Sequence, residues 1–379
     1  MRNTLKAATL ESKFPLLAVE ADCIISKDAD ITAVFEVDLP ELFTVTAAEY
    51  EAVHAAWAKA IKVLPNYTVV HKQDWFIRED YRSQTDKENL SFLSRSYEMH
   101  FNERPFLNHK CYLYLTKTTK ERMRMQSSFS SLCRGFIIPK EVDKDTTAHF
   151  LDTVGQFARI VNDTGLVHLR RLVGDEITGT ENKAGLVEKY FCLSMENTTA
   201  LEDIELGDDG LRVGDKHVSV HTLSELDALP GKVGTDCRYE RLSTDKSDCK
   251  LSFASPVGLL LSCNHLYNQY IFLDDSGENL QRFEKNARNM QSLSKYSRSN
   301  QINKEWIDLY LNDAHSFGLT SVRAHCNIIA WTDNPMEVKN MRNDVGSQIA
   351  MMECKPRHNT VDAATLYWAC LLYTSDAAD

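Results

Sequence analysis

The chain has 379 residues, 43 % of them apolar and 26 % charged, with a formal net charge of −11. That length suits two or three domains, and 15 Gly with 9 Pro exclude a linker or a low-complexity chain. The negative balance argues against a chain-wide nucleic-acid surface but leaves room for a local basic stripe.

Residues 16–40 read as a hairpin, two apolar β-branched runs around the polar turn "SKDAD". A helix is expected over 46–65, because Thr46 and Glu49 have capping-box spacing and Tyr50, Val53, Trp57, Ala60, Ile61 and Leu64 recur at helical spacing. A strand over 67–77, a charged loop over 78–89, a helix over 90–101 and a strand over 111–118 follow. Then come a helix over 146–163, a strand over 166–173 and a helix over 181–194. Residues 197–248 are richer in Gly, Asp and short β runs and read as a small β excursion. In the second half, "SPVGLLLSCNHLYNQYIFLDD" reads as two adjacent strands, followed by helices over 277–297 and 303–318. A strand over 321–332, a helix from Pro335 to 353 and a short strand "TLYWA" (365–369) complete the pattern. The expected fold class is therefore α/β (α+β): mixed sheets with helices packed on them. Hairpin, helix, strand, helix, strand recurs in both halves and reads as a duplicated unit.

Ten Cys are scattered without a CxxC pair, and "MRNTLKAATLESKFPLL" has no apolar core of export-signal length. A reducing compartment with unbridged thiols and no zinc is expected. No apolar run approaches a membrane span. Trp57 and Trp331 are expected in the core.

No catalytic constellation is visible. "LPGKVGTD" offers Gly231 and Lys232 but lacks the second Gly and the hydroxyl that hold phosphate and magnesium. Cys237, Cys249, Cys263 and His265, and the pair Cys354 and His358, match no standard zinc spacing. Cys263 is expected within a strand. Ser292 and Lys295 form an S-x-x-K without its companion motifs. Positive charge concentrates in two places. Lys117, Lys120, Arg122 and Arg124 form one cluster. Arg282, Lys285, Arg288, Lys295, Arg298 and Lys304 form the other, with the first three recurring every third residue so that they share part of a helix face. Three readings stand: a solvated face, a docking surface for an acidic partner, or a nucleic-acid contact. The last would be favoured by exposed aromatics, of which Tyr296 and Trp306 are close.

Several long stretches, among them "FLSRSYEMHFNERPFLNHKCYLYLTKTTKER", "LPGKVGTDCRYERLSTDKSDCKLSFASPVGLLLSCNHLYNQYIF" and "NDVGSQIAMMECKPRHNTVDAATLYWA", resemble the N-terminal region of the TraG family of conjugative-transposon ATPases, over Met1 to Ala369. These belong to the type IV secretion ATPases. The resemblance implies an N-terminal α/β region that docks on inner-membrane subunits of the conjugation channel, and a C-terminal RecA-like motor that binds ATP and Mg. The motor is expected to be absent here, so no cofactor or catalytic residue is placed on this chain. The resemblance further implies a homo-oligomeric full-length protein, held in the cytoplasm at the inner membrane through partner proteins, with nucleic acid not expected to touch this region. The expected parts are an α/β subdomain at 1–196, a β-rich connection at 197–248 and a second α/β subdomain at 249–369. Residues 370–379, "CLLYTSDAAD", have no counterpart in the family and read as a translated sequencing-library adapter, expected to pack poorly. The candidate docking face is Arg282, Lys285, Arg288, Lys295 and Arg298. A stand-alone scaffold protein and a nucleic-acid-handling module are the alternatives.

Overall fold

The computed structural model describes residues 14–371 apart from 42–43, 82–90, 103, 120–143, 197–200, 208–209, 224–227, 231–232, 234–236, 239–243, 245–249, 252 and 295. Gly231, Lys232, Cys249, Lys120, Arg122, Arg124 and Lys295 thus lie outside the described residues, as do 372–379.

The chain opens with β1 (Leu16–Glu20), β2 (Cys23–Ser26) and β3 (Ile31–Asp38). The expected hairpin is therefore a three-strand meander. Ala21 and Asp22, both at positive φ, fold the first run back on itself. Helix α1 (Ala47–Val63) starts on the expected capping box between Thr46 and Glu49. β4 (Thr68–Glu79) and β5 (Phe106–Lys117) flank helix α2 (Phe92–Asn102). Helix α3 (Lys144–Asn162) and β6 (His168–Arg171) follow. Then come the short α4 (Gly174–Thr178), the tiny hairpin β7 (Gly179–Thr180) and β8 (Lys183–Ala184), and α5 (Leu186–Cys192).

The second half repeats this plan. It begins with β9 (Ile204–Gly207), β10 (Gly210–Val213) and β11 (Lys216–Leu223). The small pair β12 (Cys237–Arg238) and β13 (Lys250–Leu251) precedes α6 (Ser255–Leu260) and β14 (Asn264–Leu273). Helices α7 (Ser276–Leu293) and α8 (Arg298–Phe317) lead to β15 (Arg323–Thr332). Helix α9 (Val338–Met351), β16 (His358–Asn359) and α10 (Ala363–Ala369) end the order.

One sheet joins the two halves, in the order β1-β2-β3-β5-β4-β14-β15-β11-β10-β9, with β6 beside β3 and β16 beside β11. Every described pairing is antiparallel. The order reads the same from either edge: β4 corresponds to β14, β5 to β15, β3 to β11, and the outer hairpins to each other. One face carries α1 and α3 over the first half, with Phe35, Val70, Leu113, Phe150 and Phe157 between them. The same face carries α6 and α9 over the second half, with Tyr267, Ile328, Met341 and Val345 buried. The other face is shared: α5 and α10 lie with Trp75, Tyr114, Ile329 and Trp331 in one core. The architecture is α+β, and β9–β11, from the expected connecting region, belong to this sheet.

Five local expectations are corrected. "PVGLLL" forms α6 rather than a strand, because Pro256 in the first turn favours a helix start and a short apolar run fits either period. Cys263 consequently precedes its strand. "TLYWA" is helical: Ala363, Leu366, Tyr367, Ala369, Cys370 and Leu371 are buried, a set that includes the i, i+3, i+4, i+7 spacing of Ala363, Leu366, Tyr367 and Cys370 and reaches outside the five residues read as alternating. Residues 181–184 belong to the β7–β8 hairpin, leaving α5 only seven residues long. Finally, Cys370 and Leu371 are buried in the shared core, so the segment from Cys370 does not pack poorly at its start.

Candidate functional site

The basic residues sit on the α7–α8 hairpin, which connects β14 to β15. Asp275 caps α7 by accepting from the Glu278 amide at 3.0 Å. Ala287 is buried and Phe283 packs edge-on against Tyr310 of α8 at 5.3 Å. With that side turned inward, Arg282, Lys285 and Arg288 fall on the solvent side, and all three are exposed. The Arg282 guanidinium lies over the Phe283 ring at 5.9 Å. Arg298 opens α8 and is also exposed. The structure thus brings four of the five predicted docking residues onto one hairpin; Lys295 lies outside the described residues.

What the sequence reading missed is the apolar companion of this face. Leu311 and Ala314 are the buried residues of α8, yet Ile302, Trp306 and Leu309, spaced i, i+4 and i+7, are exposed, Trp306 at 56 %. Tyr296 at the apex is 84 % exposed. A groove of about 600 Å³ lies beside it, lined in part by Ser297, Arg298, Gln301 and Ile302. The helical period was legible, but which stripe met the core was not. Helix α2, in the corresponding β4–β5 connection, likewise exposes Phe92, Leu93 and Tyr97. Exposed apolar patches of this kind mark interaction surfaces.

A second constellation lies on the α1–α3 side of β4 and β5. Asp74 pairs with Lys72 and, at 2.9 Å, with His109 Nε2. Burial pushes the Asp74 carboxyl up, but Lys72 and His109 outweigh it and hold it below the usual range. The neighbouring Cys111 thiol is pushed up by burial, which makes it a poor nucleophile. His109 stacks on Phe76 and Phe76 on His265, at 4.6 and 4.5 Å. These contacts describe a packed ionic pair and not a reactive centre.

Of the Cys/His sets, Cys249 and the Cys237 side chain lie outside the described residues, and the others have local partners. His265 is buried, with Nδ1 2.9 Å from the Cys263 carbonyl oxygen, and burial lowers its pKa to about 4. Cys354 is buried with its thiol directed at the Met352 carbonyl. No group of three or more metal-capable side chains occurs among the described residues.

Comparison with known proteins finds a family model, DUF3875 (Domain of unknown function, B. Theta Gene description), similar to residues 3–55. No curated protein matches the chain. No helix among the described residues is long and apolar enough to cross a membrane.

Proposed function

We propose that this chain is the docking and assembly region of a conjugative-transfer ATPase of the type IV secretion class, engaging inner-membrane subunits of the channel and working in a homo-oligomer. The observation that carries the reading is the α7–α8 hairpin, whose basic face and apolar stripe both point to solvent in an otherwise acidic chain. An apolar centre with cationic surroundings suits a partner segment that is apolar and acidic. The stretches resembling the TraG family supply the identity of the apparatus. Chemistry is assigned to a motor domain, so the purified chain is expected neither to bind nor to hydrolyse ATP; turnover above background would defeat that part of the reading.

The test is co-purification with the channel's inner-membrane subunits. Reversing Arg282, Lys285 and Arg288 to Glu, or Trp306→Ala, is expected to abolish it without loss of fold. Retained co-purification in both variants would overturn the docking face.

A second reading has its own support: Tyr296 and Trp306 are exposed beside the basic residues, as a single-stranded nucleic-acid platform would require. Steeply salt-dependent binding of a short single strand, lost in Trp306→Ala, would favour it over the protein partner.

A further inference from the structure

The outer strands of the second half hold a group of nitrogen-bearing side chains that the docking reading does not use. Arg342 projects from α9 towards β10, where Gly210 leaves room for it: a Cβ at Gly210 would lie 3.3 Å from Arg342 Nη2. Ser219 stands across from that end of β10, since Leu211 pairs with Val218. The Ser219 hydroxyl is 2.9 Å from His221 Nε2. His221 pairs in register with His358 of β16, and the two rings are 5.3 Å apart. Arg342 forms no ion pair among the described residues, and its Nε is buried with no hydrogen-bond partner.

Elsewhere half-buried cations do find acceptors: Lys72 meets Asp74, Arg171 donates to the Asp22 carbonyl at 3.1 Å, and Arg212 donates to the Gly214 carbonyl at 3.3 Å. A guanidinium set beside two imidazoles without such a partner is an arrangement that an oxyanion would complete, since charge-assisted bonds to phosphate suit the planar Arg fork. We propose that Arg342, His358, His221 and Ser219 form a binding site for a single small oxyanion, inorganic phosphate or the terminal group of a phosphate monoester. His221 is 2 % exposed, while Arg342 and His358 are half-buried, so access is through the latter two.

The charged and titratable groups around it are Arg342 from α9, Arg212 from β10 with its register partners Glu205 of β9 and His217 of β11, His221 from β11, Arg357 and His358 at β16, and Asp362 before α10. In the free protein burial and then Arg342 lower the His358 pKa, with Asp362 opposing. An arriving dianion reverses the sign of the local field, so binding at neutral pH should take up a proton at His358.

Calorimetric titration of the full chain with inorganic phosphate tests this. Saturable one-site binding is expected, with an enthalpy that varies with buffer ionisation because a proton is taken up. Arg342→Gln should weaken binding about tenfold or more, the loss of a charge-assisted contact. His358→Gln should bind more weakly and without proton uptake, a signature that a merely structural His would not change. Arg342→Lys, which keeps the charge but loses the fork, should be intermediate and serves if the Gln variant does not fold. No saturable binding by the wild-type chain, wild-type affinity in Arg342→Gln (or in Arg342→Lys where that variant is used), or unchanged proton uptake in His358→Gln would overturn the proposal. An unphosphorylated oligonucleotide that competes with phosphate would overturn the restriction to a small oxyanion.

Discussion

The Tyr190 hydroxyl donates to the Tyr367 carbonyl, and the Tyr367 hydroxyl donates back to the Tyr190 carbonyl at 2.8 Å. The rings lie 4.9 Å apart and both residues are fully buried. Tyr190 is in α5, which comes after β6, α4 and the β7–β8 hairpin, and Tyr367 is in α10, which follows β16. The reciprocal pair therefore links corresponding helices of the two halves, on the face of the sheet that both halves share. A two-fold relation requires contacts at its centre to be exchanged in this way. Gln73 and Asn268 repeat the theme, being register partners on the two central strands and joined by a 2.9 Å hydrogen bond.

Removing the Tyr190 hydroxyl takes the side-chain donor from the buried Tyr367 carbonyl, whereas the Tyr190 carbonyl keeps the Leu193 amide at 3.2 Å when the Tyr367 hydroxyl is removed. Tyr190→Phe is expected to cost about 1–3 kcal/mol in urea denaturation, and Tyr367→Phe to fall at the low end of that range. A large cost at one position with none at the other would show that the two helices are not equivalent in the core.

The repeat of the fold was legible as an order of elements, because periodicity marks each helix and strand separately. The shared sheet was not, because nothing local tells β4 to pair with β14 across nearly two hundred residues. Short apolar runs failed for the same reason. "PVGLLL" and "TLYWA" fit either period, and their neighbours in space decide the outcome: Val257 packs under α9's Met341 and Val345, while Leu366 and Tyr367 meet Tyr190 and Trp331. At the candidate site, charge spacing revealed Arg282, Lys285 and Arg288. The Arg342–His221–His358 group stayed hidden, since a helix, a strand and a two-residue strand supply it.

The two tryptophans expected in the core separate. Trp331 is 1 % exposed and meets Trp75 edge-on at 6.5 Å. Trp57 is only half-buried, resting edge-on against Phe157 at 5.5 Å on the rim of its cluster. Trp331→Ala is expected to cost ~3–5 kcal/mol, and Trp57→Ala clearly less, because the rim position can be refilled by solvent. Equal losses in chemical denaturation would place Trp57 in the core after all.

Leu371 is 1 % exposed, and the carbonyl of Cys370 accepts from Gln73 Nε2 at 3.3 Å. Leu371→Ala is expected to cost ~2–5 kcal/mol, the range for a buried leucine. A melting temperature unchanged by this substitution would return the segment from Cys370 to the poorly packed end expected of it.

Acid should unfold this protein early, through its buried histidines. His71 lies between the rings of Tyr114 and Tyr270, at 5.0 and 4.2 Å, with Nε2 2.9 Å from Asn268 Oδ1. Burial lowers its pKa to about 4, and does the same for His265 and His325, while His221 falls to about 3. Above pH 6.5 each is neutral in both the folded and the unfolded chain, so stability does not depend on them. As pH falls below 6.5 the unfolded chain binds protons first, and folding stability drops until the folded pKa values near 4 are reached. A depression from 6.5 to about 4 corresponds to ~3 kcal/mol for one such histidine over that window. Asp74, held below the usual carboxylate range, adds a loss at still lower pH. Urea midpoints at pH 7.5, 6 and 5 should therefore fall steadily. His71→Gln, which keeps a donor for Asn268 without a titrating ring, should flatten the slope between pH 6.5 and 4. A wild-type midpoint independent of pH over that range would mean that these imidazoles are charged, or exposed, in the folded protein.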